Sequence, residues 1–171
     1  MNTMQVEIVQ LPPLRVAAFH GFGAEPEAQA SAKLLGWAQG RRLLDEGRTH
    51  RVFGFNNPSP SAASPHYGYE LWLELSDAEA DALAAEGDAA DSAQAEGVEF
   101  KTFSGGVYAA TRCRGVSAIP DAWRDLVTWC EDSPYGFGGG QCLEQHIGDL
   151  AGPVEELEFV LYQAVLPEPV L

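Results

Sequence analysis

From Gln5 to Leu11 apolar and polar side chains alternate, the two-residue period of a strand with one buried face. Pro12-Pro13 stops it, and Arg15 to Phe22 is a second extended run, richer in apolar residues, ending at Gly21 and Gly23. The period then changes. Pro26 suits a first helical turn, where its missing N–H costs nothing. Ala30, Leu34, Trp37, Ala38 and Arg41 follow at helical spacing and predict a helix packed on a sheet, with Arg41 at its wet end and Gly47 closing the region. Thr49 to Phe55 and Tyr67 to Leu75 return to strand character across a loop that starts at Asn56-Asn57-Pro58. On the second of these, Tyr69, Leu71, Leu73 and Leu75 form one face and Glu70, Trp72 and Glu74 the other.

Ser76 to Gly97 is rich in Ala, Asp and Glu and has no Lys or Arg. It reads as a link with a solvated acidic face and a short helix near Asp77 to Ala85. The earlier plan then returns. Val98 to Phe103 and Val107 to Arg114 are strands around a Ser104-Gly105-Gly106 break, and Ile119, Trp123, Leu126, Val127 and Cys130 form a helical stripe. A glycine-rich stretch leads into Gln141 to Asp149, and Leu157 to Leu166 is the last strand.

Shifted by 92 residues, the chain matches itself. Val6-Glu7 lies over Val98-Glu99, Ala17-Ala18 over Ala109-Ala110, Gly23 over Gly115, Leu34 over Leu126 and Trp37 over Trp129. Repeats at about 4–76 and 97–167, with a linker at about 77–96, predict one α+β domain. Two pseudo-symmetric strand-helix-strand-strand repeats would form an antiparallel sheet with two helices on one face. The seam between them, on the face the helices leave open, is the expected ligand cleft.

Ten basic residues against 25 acidic ones give a net charge of -15, which repels phosphate backbones and argues against a nucleic-acid partner. Cys113, Cys130 and Cys142 are odd in number and form no C-x-x-C pair, which suits a reducing cytosol. The first residues have neither the basic start nor the apolar run of a typical signal peptide, and no stretch approaches the length that spans a membrane. The expected location is cytoplasmic.

Within QCLEQHIGD, a strand places Cys142, Glu144 and His146 on one face and Leu143, Gln145 and Ile147 on the other. A mid-strand carboxylate needs water, a partner or a ligand cavity. Glu144 is therefore either a solvated residue or the anchor of a small-molecule pocket, and His146 either a half-exposed strand histidine or its hydrogen-bonding neighbour. Trp72, between two acids, marks an exposed edge or a pocket. Tyr108, Trp123, Phe55, Tyr69 and Tyr162 are further wall candidates by position. Trp37 and Trp129 belong to core stripes. The histidines are dispersed and no ligand spacing for a metal occurs, so no metal and no cofactor is expected.

The order of elements resembles the GyrI-like small-molecule-binding family, which includes effector-binding domains of AraC-type and MerR-type regulators. VEIVQLPPLRVAAFHGFG, FGFNNP with YGYELW, GVYAATRCRG with AWRDLVTW, and CLEQH with LEFVLYQAVLP carry the likeness over nearly the whole chain except the acidic linker. The resemblance implies a cleft whose glutamate, matched here by Glu144, faces a lipophilic cation while aromatic rings stack on its body. It implies a stand-alone module that senses or sequesters an aromatic, in the favoured case cationic, drug or toxin. A second implied activity is hydrolysis of cyclopropane-containing genotoxic natural products, with Glu144 as base or charge stabiliser and Tyr69, Tyr108 or His146 as proton donor. A third is a gyrase-inhibitor-like protein-binding role. A homodimer through an open sheet edge is a further expectation.

Overall fold

The computed structural model describes residues 3–45, 50–86 and 97–169. The fold is α+β. Among the described residues the strands are β1 (Glu7–Leu11), β2 (Leu14–Gly23), β3 (Val52–Asn56), β4 (Tyr67–Leu75), β5 (Val98–Phe103), β6 (Gly106–Arg114), β7 (Leu143–Ile147) and β8 (Glu158–Ala164). The α-helices among the described residues are α1 (Pro26–Gly40), α2 (Asp77–Ala85) and α3 (Ile119–Asp132). The 92-residue shift carries β1, β2, α1 and β3 onto β5, β6, α3 and β7 to within one residue at each end, so the element order is consistent with the repeat.

Packing divides the chain into two units, and their boundaries are not those of the repeats. One unit is Leu14–Phe103; the other joins Met1–Pro13 to Ser104–Leu171. Consequently β1 and β2 are not partners: β1 pairs antiparallel with β6, and β5 with β2. The reason is local. A two-residue hairpin turn needs positive φ in its central residues, and Pro12 and Pro13 are both held near −65°. Gly105, at φ 76°, passes so close to Leu11 and Pro12 that a side chain there would strike their backbone.

In the Leu14–Phe103 unit the strands run β3-β4-β2-β5, and α1 packs on β2 and β4. Ala30, Leu34, Trp37 and Ala38 are buried, with the Trp37 ring tilted against Phe19 at 5.6 Å and 6.1 Å from Phe100. Arg41 caps the stripe as its position suggests. The guanidinium lies 4.5 Å over the Trp37 ring and donates to the Trp37 carbonyl. The helix ends at Gly40; Gly47 and Thr49 lie outside the described residues. Ser76 and Glu79 form a reciprocal capping box at the start of α2, and Glu79 also meets His50 Nε2 at 2.7 Å. Asp81 accepts from Arg15 at 2.7 Å, so the acidic link is not wholly solvated. Its Asp88, Asp91 and Glu96 lie outside the described residues.

Tyr69 lies across Gly54 of the neighbouring strand, where a Cβ would collide with its hydroxyl and come within 2.7 Å of two ring carbons. Gly54→Ala is expected to cost about 1–3 kcal/mol, the usual penalty of overpacking a filled core. Urea denaturation checks this; unchanged stability would mean that the ring yields freely.

In the second unit the order is β1-β6-β8-β7, and α3 packs on β6 and β8. Ala109, Leu126, Cys130, Leu157, Phe159, Leu161 and Val165 form its core, with Trp123 and Trp129 packed against it.

Candidate functional site

The register of β7 decides which way its carboxylate faces. Glu144 lies opposite Leu161 and His146 opposite Phe159, while Leu143 lies opposite Tyr162. Directly opposed residues share a face. Leu161 and Phe159 belong to the cluster beneath α3, so Glu144 and His146 point to the helix side of this sheet, not to the helix-free side where the cleft was expected. Leu143 fixes this choice: it is fully buried on the other face, and a one-residue slip would exchange it for Glu144. Because α3 rests on β6 and β8, the β7 face beside it is only half covered.

Comparison of the repeats isolates the carboxylate. The strand matching β7 is β3, and the residue 92 positions before Glu144 is Val52. Val52 lies opposite Leu73 on the helix-bearing face of its own unit and is 3% exposed. The 92-residue alignment thus sets the half-buried carboxylate of Glu144 over a buried aliphatic residue.

His146 packs edge-on against Phe159, with ring centroids 5.0 Å apart. Burial drives its pKa down to about 4, so the imidazole is neutral at pH 7. The Cys113 thiol, on the same face, is pushed up first by burial and then by the negative charge of Glu144. A histidine depressed in the folded state favours unfolding once the unfolded chain takes up its proton. Its effect on stability is absent above the unfolded value near 6.5 and destabilises increasingly as pH falls toward 4. An NMR titration of the ring protons is expected to place His146 near 4; a value near 6.5 would show the ring to be solvated.

The phenols lie elsewhere. Tyr108 and Tyr162 share the other face of the same sheet, edge to face at 6.1 Å. Tyr108 is 1% exposed and donates to the Gln141 carbonyl at 2.8 Å; Tyr162 donates to Gln145 Oε1 at 2.7 Å. The sheet separates both from Glu144. Burial, followed by the nearby Cys142, raises the Tyr108 pKa to about 12, which makes it a poor proton donor at neutral pH. Trp123 packs against the cluster that also backs Glu144 and His146.

In the Leu14–Phe103 unit, Tyr69 is buried on the α1 face, while Trp72 and Phe55 are buried on the opposite face, 4.9 Å apart and edge to face. Trp72 thus sits neither at an exposed edge nor beside free acids. Its Nε1 donates to Glu70 at 2.8 Å, Lys101 Nζ donates to the same oxygen at 2.6 Å, and Asn57 Nδ2 to the other oxygen at 3.0 Å. Glu70 is 3% exposed. Burial alone would raise its pKa most, but the three hydrogen bonds and the Lys101 charge together hold it below the usual carboxylate range. Sequence reasoning missed this cluster. The only signal was the Glu70-Trp72-Glu74 face, and its answering cation lies 31 residues away on another strand. Glu74 is likewise answered, by a bidentate Arg51 at 2.6 and 2.9 Å.

Among the described residues no group of three or more His, Cys, Asp and Glu side chains stands ready to hold a metal ion, and no helix is long and apolar enough to cross a membrane.

The model of the GyrI-like small-molecule-binding domain matches residues 4–162. The chain belongs to this family. No curated protein matches it in sequence. Solved structures that resemble this GyrI-like domain include a Listeria innocua protein described as a hydrolase, with TM-score 0.68 and 14% identity over 95% of this chain and 92% of that one. EcmrR, in complex with DNA, gives TM-score 0.65 and 12% identity over 100% of this chain and 59% of its own. SAV2435, solved with bound tetraphenylphosphonium, gives 0.53 and 13% over 96% and 95%. At these identities the likeness is one of fold, and it agrees with the GyrI-like architecture described above.

Proposed function

We propose that this GyrI-like domain binds an aromatic, cationic small molecule, a drug or toxin, at Glu144, for sensing or sequestration. The observation that carries the reading is Glu144 itself. It is a half-buried carboxylate on the same strand face as a neutral His146, at a position where the residue 92 places earlier is the buried Val52. A carboxylate with an apolar backing prefers a soft, weakly hydrated cation, and neighbouring aromatic rings add both area and quadrupole attraction. His146 and Trp123 are the rings proposed to contribute in this unit, with the buried Phe159 backing His146. Tyr69, Trp72, Phe55, Tyr108 and Tyr162 are buried, and their proposed part is to build the scaffold.

The test is a fluorescence titration with tetraphenylphosphonium and, beside it, the neutral triphenylphosphine oxide. The cation is expected to bind at least about tenfold tighter, a difference of about 1.4 kcal/mol. Equal affinities would remove the charge from the account. A hydrolytic reading stays open on one observation, a carboxylate and a neutral imidazole on the same strand face, two residues apart. Mass spectrometry of a cyclopropane-bearing alkylating compound after incubation with the protein separates the readings: a hydrated product marks turnover, unchanged compound marks binding.

A further inference from the structure

We propose that β5 is the surface through which two copies of this chain associate, by antiparallel self-pairing centred on Phe100. Among the described residues β5 is the terminal strand of its sheet, bonded to β2 on one side. A strand edge of this kind presents unpaired N–H and C=O groups along its length.

A self-pairing about a twofold axis puts each residue opposite a symmetry mate, and the sequence VEFKTF suits one such register. Centred on Phe100, it sets Glu99 of each copy against Lys101 of the other, twice, and Val98 against Thr102. Opposite charges facing across a strand pair are favourable, and like charges are not. Registers that set Glu99 against Glu99 or Lys101 against Lys101 are therefore penalised. Lysine on an edge ordinarily blocks edge-to-edge pairing; here its answer lies two residues away on the same strand. Glu99 is 74% exposed and lies 3.7 Å from Lys101 Nζ of its own copy, while Lys101, held by Glu70 at 2.6 Å, is already ordered and loses little freedom on pairing.

Phe100 supplies the apolar contact. It lies on the α1 side of β5, 42% exposed, its inner edge on Trp37, and the proposed register sets it against its own copy. In the second unit the terminal strand β1 lacks this complementarity, since Glu7 is its only charge. A pairing of five or six residues per copy falls in the small interface class, below about 1,200 Å², so a weak dimer is expected.

Sedimentation velocity over a wide concentration range at physiological salt tests the proposal. The wild type is expected to shift from monomer to dimer as concentration rises. Glu99→Lys, which sets lysine against lysine, is expected to stay monomeric with an unchanged circular dichroism spectrum. Phe100→Ser is expected to abolish the dimer too, and it reads the same edge should Glu99→Lys fail to fold. A wild type that stays monomeric throughout overturns the proposal, as does a dimer that survives both substitutions.

Discussion

Glu144→Gln is expected to weaken tetraphenylphosphonium binding by about ten- to a hundredfold and to leave triphenylphosphine oxide binding unchanged. The substitution keeps shape and hydrogen-bonding capacity while removing one charge. Two unit charges about 4 Å apart interact by about 4 kcal/mol at the effective dielectric of a partly exposed site. Part of that is lost to the hydration the carboxylate gives up, leaving about 1.4–2.8 kcal/mol, which is the stated range. Fold stability should change little, because the matching strand tolerates an uncharged residue at Val52. Equal losses for the cation and the neutral compound would mean that Gln disturbs the pocket's shape and that charge recognition lies elsewhere.

The second large effect belongs to the fold. Lys101→Met leaves Glu70 buried at 3% exposure without its only cation among its described partners. Breaking a buried pair by removing one member costs about 3–5 kcal/mol, and because the Lys101 side chain is 32% exposed the lower end applies. About 3 kcal/mol corresponds to a melting temperature lower by about 6–12 °C for a chain of this length. The pH dependence identifies the cause. In the wild type the Glu70 pKa lies below its unfolded value, so its contribution is complete above the unfolded pKa and is lost as pH falls through the depressed folded one. In Lys101→Met the buried carboxyl is relieved by taking up a proton. The two stability curves should therefore converge on acidification. Curves that stay parallel, or a loss under about 0.5 kcal/mol, the range of an ordinary surface substitution, would show the pair to be peripheral.

These two residues also mark what the sequence discloses and what it withholds. Local patterns were legible because they are set by neighbours in the chain. The strands read at Tyr67–Leu75 and Val98–Phe103, and the short helix read near Asp77–Ala85, coincide with the observed elements end to end. Arg41 closing the Trp37 stripe was legible for the same reason. The pairing of β1 with β6 was not, because the alternation of one strand carries no record of its partner, although Pro12-Pro13 contained the argument against a hairpin. Glu70 and Lys101 meet across the intervening strand β2, a relation no local period encodes. For Glu144 the strand and the shared face with His146 were readable, but which face α3 would cover depends on the packing of Leu143 and Leu161. That same dependence separates Glu144 from Tyr108 and Tyr162, which position along the chain had grouped with it.

The most direct test of the central claim locates the ligand. In protein carrying carbon-13 at its carboxyl groups, tetraphenylphosphonium is added stepwise and the Glu144 carboxyl resonance is followed by NMR. A saturating shift of that resonance, with shifts of the β7 amides and little change at Glu70, is the predicted result. Saturable binding with the Glu144 resonance unmoved would contradict it and place the cation at another site.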